Sequence, residues 1–581
     1  MSGEYEIRQL PLSLKMSRQR VEQFLANNGL RLDPVDYYAT VTRVDDDQIL
    51  AGGGLKGNLI KCVAVSDELR GTGMMQTLIS HLLSTAREHG HEQVRVFTKP
   101  DNRNIFESLG FKFLAQAPQA IFMENAMGGL SDYCNYLKGL RRPGKNGMVV
   151  MNANPFTLGH LALLEYGASL VQTLYVIVVR EDCSHFSYQA RMNMVKSGTQ
   201  HLHNVVVCEG SDYAISAATF PTYFLKQLSD ASDTQILLDL DLCNRHLAPA
   251  LGATMRLVGS EPTDAVTARY VELMEQQLPL NGIEVVVMPR VGQDGQPVSA
   301  SLVRSTLQEG CLSRALQMVP TTTVPYLMSD LARQALEREL HATPKPGLVD
   351  EHDNGAHTDM DLELMHRSIE SMRPAFDQLA QLGLSRVLPP AEYVQQLGVN
   401  MEQRMLSATG GVNTHRGALF SMGLTLLAAA YTWHKEHVVK PSALRHCIMK
   451  LSHGIVAVDN GSHGSRAIAA HHVEGALSMA QHGYQRLFKE WLPYYASLSG
   501  DPYRDVKTLL QIMSELDDTN VIHRVGYETA QEVKREARAL LDNFGLADLE
   551  AMNRSFISRN ISPGGAADML SLTIFIDSIT N

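Results

Sequence analysis

The sequence predicts a multidomain protein of three parts: an α+β segment over residues 1–130, an α/β segment with a parallel sheet over 145–320, and an all-α segment over 321–581. Three observations carry that reading. Apolar runs of strand length alternate with helical patterns through the first two segments. Beyond Pro320 such runs nearly vanish, and long helical periodicities take over. Glycine, proline and arginine punctuate the first change, where Gly128 to Gly147 marks a linker or boundary, and Pro320 to Pro325 forms a second break. A chain of 581 residues has room for three or four domains.

Composition narrows the class. An apolar content of 44% with 19% charged residues is that of a soluble globular protein. A net charge of −11 argues against broad nucleic-acid binding, so any basic site is local. The seven cysteines are scattered and form no Cys-x-x-Cys pair, a reduced pattern without a zinc site. The N-terminus lacks a basic-plus-apolar leader, and no apolar run reaches about 18 residues. The expected location is the cytoplasm, with no membrane partner.

In the first segment, Leu59 to Val65 reads as a strand and Met74 to Glu88 as a helix. Between them Arg70, Gly71 and Gly73 form a backbone cradle suited to a pyrophosphate, with Arg70 adding charge. A short helix closed by Gly110 and followed by a strand comes next.

The second segment opens on Met148 to Met151, an apolar run of strand character. Asn152, Ala153, Asn154 and Pro155 break it, and Thr157, Leu158, Gly159 and His160 begin a helix. Strand, short polar turn and helix N-terminus make an anion site, because free N–H groups and the helix dipole point the same way. Gly159 permits close backbone approach, and His160 can donate to phosphoryl oxygens where charge develops. Further strands are expected at 173–179, 204–208, 235–238 and 283–288. The alternation implies a parallel sheet with its ligand at the carboxyl ends of the strands. Ser299, Ser301 and Arg304 sit where two hydroxyls and a guanidinium could clamp phosphates. Glu181 and Asp182 follow a strand end and suit either ATP, a metal or a helix cap.

In the third segment, residues 529–541 carry Val533, Ala537, Leu540 and Leu541 on one helical face, with Gly545 expected to end the helix. Its informative residues lie between helices. Thr343 to Asp350 includes Lys345 and two prolines, so it is not helix interior. His357, Asp359 and Asp361 follow, then Gly410, Gly411, His415 and Arg416, then Asp517 and Asp518, and lastly Gly564, Gly565 and Asp568. The two Gly-Gly turns are candidate phosphate cradles, and the acidic clusters could hold Mg²⁺ through oxygen.

These motifs carry four resemblances. Residues 5–125, with Arg70 and Gly73 in an Arg-x-x-Gly pattern, resemble the GNAT acetyltransferase fold, although the last small position of that pattern is Met75. Thr157, Gly159 and His160, followed by Ser299, Ser301 and Arg304, resemble the HIGH-type nucleotidyltransferases, which have a Rossmann-like fold; Thr157 stands where their first histidine falls. Asn152 to His160, Val179 to Asp182, Val258 to Pro262 and Pro289-Arg290 look like the citrate lyase ligase family, which also carries a GNAT-like domain. The five stretches of the third segment resemble the triphosphoribosyl-dephospho-CoA synthases.

The citrate lyase ligase resemblance implies acetylation of a thiol on the citrate lyase acyl carrier protein, from ATP and acetate through acetyl-AMP. His160, Thr157 and Arg304 then fall on its catalytic positions, and Asn154, Gly159, Ser299 and Ser301 on nucleotide-binding ones. The triphosphoribosyl-dephospho-CoA synthase resemblance implies transfer of triphosphoribose from ATP to 3′-dephospho-CoA with release of adenine. There Lys345, Gly410, Gly411, His415, Arg416, Gly564 and Gly565 would meet phosphates. Asp359 and Asp517 are candidate catalytic carboxylates, and Asp350, Asp361, Asp518 and Asp568 candidate Mg²⁺ ligands; the six compete for the base and metal roles. Arg70, Gly71 and Gly73 would meet a CoA-like arm. A phosphopantetheine- or nicotinate-type adenylyltransferase, a non-catalytic scaffold and malonate decarboxylase maturation are the alternative readings.

Overall fold

The computed structural model describes residues 5–180, 184–213, 230–260, 264–290, 292–293, 296–456, 471 and 473–580. Glu181, Asp182, Glu261 and Pro262, singled out above, lie outside them. The chain divides into two compact units, one of Met1–Ala153, Gly159–Tyr188 and Thr199–Pro297, the other of Asn154–Leu158, Gln189–Gly198 and Val298–Asn581.

The first unit is built on two sheets. The seven strands of the first are β1 (Tyr5–Gln9), β2 (Tyr37–Arg43), β3 (Ile49–Lys56), β4 (Leu59–Val65), β5 (Val94–Thr98), β6 (Lys112–Gln116) and β7 (Ile121–Asn125), in the order β1-β2-β3-β4-β5-β7-β6. Neighbours run antiparallel except β4 and β5, which are parallel and pair only at Leu59↔Arg95 and Ile60↔Val96. Their carboxyl ends therefore diverge. The helix Met74–Glu88 follows β4 at the expected residues, starting from Gly73 at φ +85°, a left-handed conformation that suits glycine.

The second sheet contains β8 (Asn146–Met151), β9 (Thr173–Val178), β10 (Val205–Cys208), β11 (Ala253–Gly259) and β12 (Glu284–Met288), all parallel, in the order β10-β9-β8-β11-β12. β8 is central, and the chain order reverses beside it. Ligands of open parallel sheets bind at such a switch point, outside the carboxyl ends of the strands. The chain leaves β8 there and runs into Asn152.

Two expectations are corrected in this unit. Residues 235–238 are not a strand: they lie in the helix Asp230–Leu242, whose Ile236, Leu238, Leu240 and Leu242 are all buried. A short apolar run cannot distinguish strand from buried helix by periodicity. The missing fifth strand is β11, whose Arg256 interrupts the apolar pattern yet is 4% exposed. Nor is 128–147 an open linker. The helix Leu130–Leu140 fills it, and Leu130, Cys134 and Leu137 enter a core shared by both sheets.

The second unit is helical, as its periodicity predicts. Its helices include Val324–His341, Leu362–Gly383, Ala391–Ala408, Arg416–Glu436, Thr519–Val525 and Gly564–Thr580. Arg416–Glu436 and Gly564–Thr580 are buried on most faces, which places them centrally. The helix Tyr527–Asp542 buries Val533, Ala537 and Leu540 as expected. It ends at Asp542 rather than at Gly545, which instead opens the next helix, Leu546–Ser558. The reason is conformational: Gly545 has an extended φ of −143°, not the left-handed φ of a helix-ending glycine. Among the described residues no helix is long and apolar enough to cross a membrane.

Candidate active sites

The turn after β8 begins with Ala153, buried and at φ +52°, a conformation that costs a non-glycine residue of order 1 kcal/mol or more. Strain of this kind concentrates where a backbone must present its groups to a ligand. Further along the same stretch, the helix Leu158–Leu170 carries His160. Burial, reinforced by the positive charge of Arg290, pushes the His160 imidazole down to about 4. The ring is neutral at physiological pH and donates through one N–H, without a positive charge of its own.

Within the second unit, Asn154–Leu158 is held from several sides. Leu158 N–H donates to the Met318 carbonyl at 2.9 Å, and Thr323 Oγ1 donates to the Phe156 carbonyl at 3.0 Å. Phe156 and Thr157 are buried. Arg304 spreads its guanidinium between the Asn154 carbonyl and Ser301 Oγ, the latter at 3.2 Å. Ser299 caps the helix Ala300–Gln308 by accepting Leu302 N–H at 3.0 Å, and its own hydroxyl hydrogen stays available to donate. Arg304, Ser301 and Asn154 are thus brought together.

In the helical unit the loops converge on a buried charged group. Lys345 is 1% exposed, and its Nζ donates to Glu339 Oε1 and to the Glu339 carbonyl, both at 2.7 Å. His415 is buried, with Nδ1 at 2.8 Å from Ser368 Oγ and no hydrogen-bond partner for Nε2. Burial and the neighbouring Lys345 charge push it down to about 3. A buried imidazole nitrogen without a partner calls for a ligand or a water. Asp568 is pushed well above the usual carboxylate range by burial and by the charges of Asp518 and Glu339, while accepting the Ala418 N–H.

The other acidic residues divide by what occupies their oxygens. Asp350 accepts four hydrogen bonds, from Thr343 Oγ1, Lys345 N, His352 N and Asp353 N, so it shapes the loop around Lys345. Asp518 caps two helices at once, through Asn520 N and Ala566 N, each at 2.9 Å. That second cap occupies the N-terminus behind Gly564 and Gly565, where an open phosphate cradle was expected. Asp361 caps Leu362–Gly383 through Leu364 N at 2.7 Å, and Asp359 is exposed. Asp517 is paired with Lys534 at 2.9 Å; burial raises its pKa, but that pairing and Gln531 bring it below the usual value. Arg416 pairs with Glu402, and Gly410 and Gly411 are exposed before its helix. Sequence reasoning missed Glu339, one acidic residue among several in a helix, and Ser368; neither carries a local signal.

Two predictions arise here. Gly417 has no room for a side chain, since a Cβ there would lie 2.0 Å from Asp568 Oδ2. Gly417→Ala is expected to lower both the melting temperature and adenine release, and an unchanged variant would contradict this packing. His160 and His415, the two histidines pushed down furthest among the described residues, contribute to the acid limb of stability. An unfolded histidine titrates near 6.5. Their contribution is therefore fully present above about pH 6.5 and falls on acidification, down to about 4 for His160 and about 3 for His415. Long-range ¹H–¹⁵N spectra at about pH 5.5 are expected to show His160 and His415 as neutral imidazoles, each signal vanishing in the alanine variant of its own residue.

A strained turn at a parallel-sheet switch point and a buried charged helical cluster are the two candidate sites of the chain. Residues 146–327 match the family described as citrate lyase ligase C-terminal domain, and residues 326–581 the family described as ATP:dephospho-CoA triphosphoribosyl transferase. The citrate (pro-3S)-lyase ligase of Escherichia coli (strain K12) is 39% identical over 317 residues, spanning 53% of this chain and 90% of that protein. A probable 2-(5''-triphosphoribosyl)-3'-dephosphocoenzyme-A synthase of Stutzerimonas stutzeri (strain A1501) is 39% identical over 266 residues, spanning 44% of this chain and 91% of that protein. A pantoate-beta-alanine ligase structure from Francisella tularensis is far more distant, at 14% identity and a TM-score of 0.22, covering 31% of this chain and 76% of that one. The chain belongs to both families, citrate lyase ligase in its first half and triphosphoribosyl-dephospho-CoA synthase in its second.

Proposed function

We propose that the chain matures citrate lyase in the cytoplasm through two ATP-consuming reactions that serve one cofactor arm. In the first, an acetate oxygen attacks the α-phosphorus of ATP, and the bond to the bridging oxygen breaks. Pyrophosphate leaves and acetyl-AMP forms. The thiol on the citrate lyase acyl carrier protein then attacks the acetyl carbon, and AMP departs. The protein's task is positioning and charge neutralisation. His160 donates its N–H to the phosphoryl oxygen that gains charge, Thr157 hydrogen-bonds the nucleotide, and Gly159 admits it closely. Arg304, Ser301 and Ser299 hold phosphates, with Asn154 anchoring the guanidinium through its carbonyl.

In the second reaction the 2′-hydroxyl of 3′-dephospho-CoA attacks C1 of the ATP ribose, and adenine leaves. The triphosphate stays on the sugar, and the transition state is oxocarbenium-like. Asp568, in its ionised form, takes the hydroxyl proton; burial beside Asp518 and Glu339 raises its affinity for that proton. His415 Nε2 donates to the triphosphate, and Lys345 lends positive charge beside it. Mg²⁺ would neutralise the triphosphate. The oxygen donors present fit it: Asp359 is exposed, and Asp361 is exposed with one oxygen given to its helix cap. These two would hold it.

The N-terminal region is proposed as a GNAT-like module that receives a CoA-type arm. A cavity of about 530 Å³ lies where β4 and β5 diverge, lined by Arg70, Gly71 and Gly73. The observation that carries the whole reading is the near-complete coverage of both sets of relatives, 90% and 91% of their lengths. The test is product analysis on the full chain with carrier protein. AMP is expected only with acetate, and adenine only with 3′-dephospho-CoA. AMP formation driven by a phosphopantetheine or a nicotinate nucleotide would replace the ligase reading with an adenylyltransferase.

A further inference from the structure

The helical unit carries a second cluster of ligating side chains that the two reactions do not use. Glu337 and His341 lie one turn apart on Val324–His341, and His366 comes from Leu362–Gly383. Glu337 Oε2 is 2.9 Å from His366 Nδ1 and 3.8 Å from His341 Nε2. One ligand atom from each of the three lies within 4.8 Å of the other two. A tetrahedral ion with bonds of about 2.1 Å keeps its ligand atoms about 3.4 Å apart, so small side-chain rotations suffice.

Two further features point to an ion. The remaining nitrogen of His341, Nδ1, is 2.5 Å from Glu351 Oε1. A carboxylate there fixes the tautomer and orientation of a ligating imidazole. Among the described residues, the ionic partners of Glu337 and Glu351 are these two imidazoles, and no lysine or arginine pairs with either carboxylate. Side-chain exposures of 20% for Glu337, 42% for His341 and 37% for His366 leave the group open to a solvated ion.

We propose that Glu337, His341 and His366 bind a divalent transition-metal ion of the zinc class, with Glu351 orienting His341. Two imidazoles and one carboxylate favour zinc, copper or nickel over magnesium, so this site is separate in kind from any Mg²⁺ that accompanies ATP. Its place suggests a clamp. Glu351 directly follows Asp350, which shapes the loop around Lys345. An ion here ties that loop, through Glu351 and His341, to two helices.

The test uses the untagged full-length chain, stripped with chelator and titrated with Co²⁺ while visible absorption and melting temperature are followed. Wild type is expected to bind one ion per chain at this site, with a ligand-field band and a raised melting temperature. His366→Ala and His341→Ala should lose both responses, and Glu351→Gln should bind roughly 10- to 100-fold more weakly. His366 is partly exposed, so its variant should fold, as circular dichroism without metal would check. Indistinguishable Co²⁺ titrations for wild type and a folded His366→Ala would overturn the proposal.

Discussion

His160→Ala is expected to abolish acetate-dependent formation of AMP from ATP and to leave adenine release intact. The imidazole starts the helix that follows the turn after β8, and it is neutral because burial and Arg290 push it down to about 4. The contribution proposed for it is a single N–H donated to oxygen that gains charge only as the α-phosphorus is attacked. Loss of one such donor costs about 10²- to 10³-fold in kcat. The KM for ATP should move little, since phosphate binding is proposed to rest on Arg304, Ser299 and Ser301. The measurement is acetate-dependent exchange of labelled pyrophosphate into ATP, run beside an adenine assay on the same preparation. A variant that keeps exchange would remove His160 from the chemistry. A folded variant that loses both products would join two activities that this account keeps separate.

Asp568→Asn should give the mirror image, losing adenine release by about 10²- to 10⁴-fold, the range for a general base, and keeping pyrophosphate exchange. The same change should raise the melting temperature. Asp568 is pushed above the usual carboxylate range by burial, Asp518 and Glu339. A raised folded-state pKa means that folding favours the protonated form. Ionisation therefore costs stability as pH rises above the unfolded value of 3.8 toward the folded one. An uncharged amide of the same shape avoids that cost. Opposite signs for activity and stability separate a poised carboxylate from one that merely packs. A destabilised Asp568→Asn would mark a structural role.

How much of this was legible in the sequence differs by level. The helix Met74–Glu88 and the strands β8 and β9 follow from apolar runs bounded by glycine and polar turns, a local signal that survives folding. β11 was not legible, because its Arg256 is buried by tertiary packing that periodicity cannot express. The helix Asp230–Leu242 was misread because its apolar run is as short as a strand's. At the ligase-type site the motif residues could be named from spacing. In the helical unit the residue types were legible but not their jobs. Asp350, Asp518 and Asp568 look alike in sequence, yet the first two spend their oxygens on several backbone and hydroxyl donors, while the third is buried against the charges of Asp518 and Glu339. Such a distinction depends on which loops meet. Glu339 likewise becomes informative only once Lys345 reaches it.

The most direct measurement gives the full-length chain ATP labelled in its base, with 3′-dephospho-CoA and Mg²⁺, and follows the label by chromatography. The account predicts free adenine from wild type and from His160→Ala, and none from Asp568→Asn. Label that stays in AMP and ATP throughout, or adenine undiminished in Asp568→Asn, would contradict it.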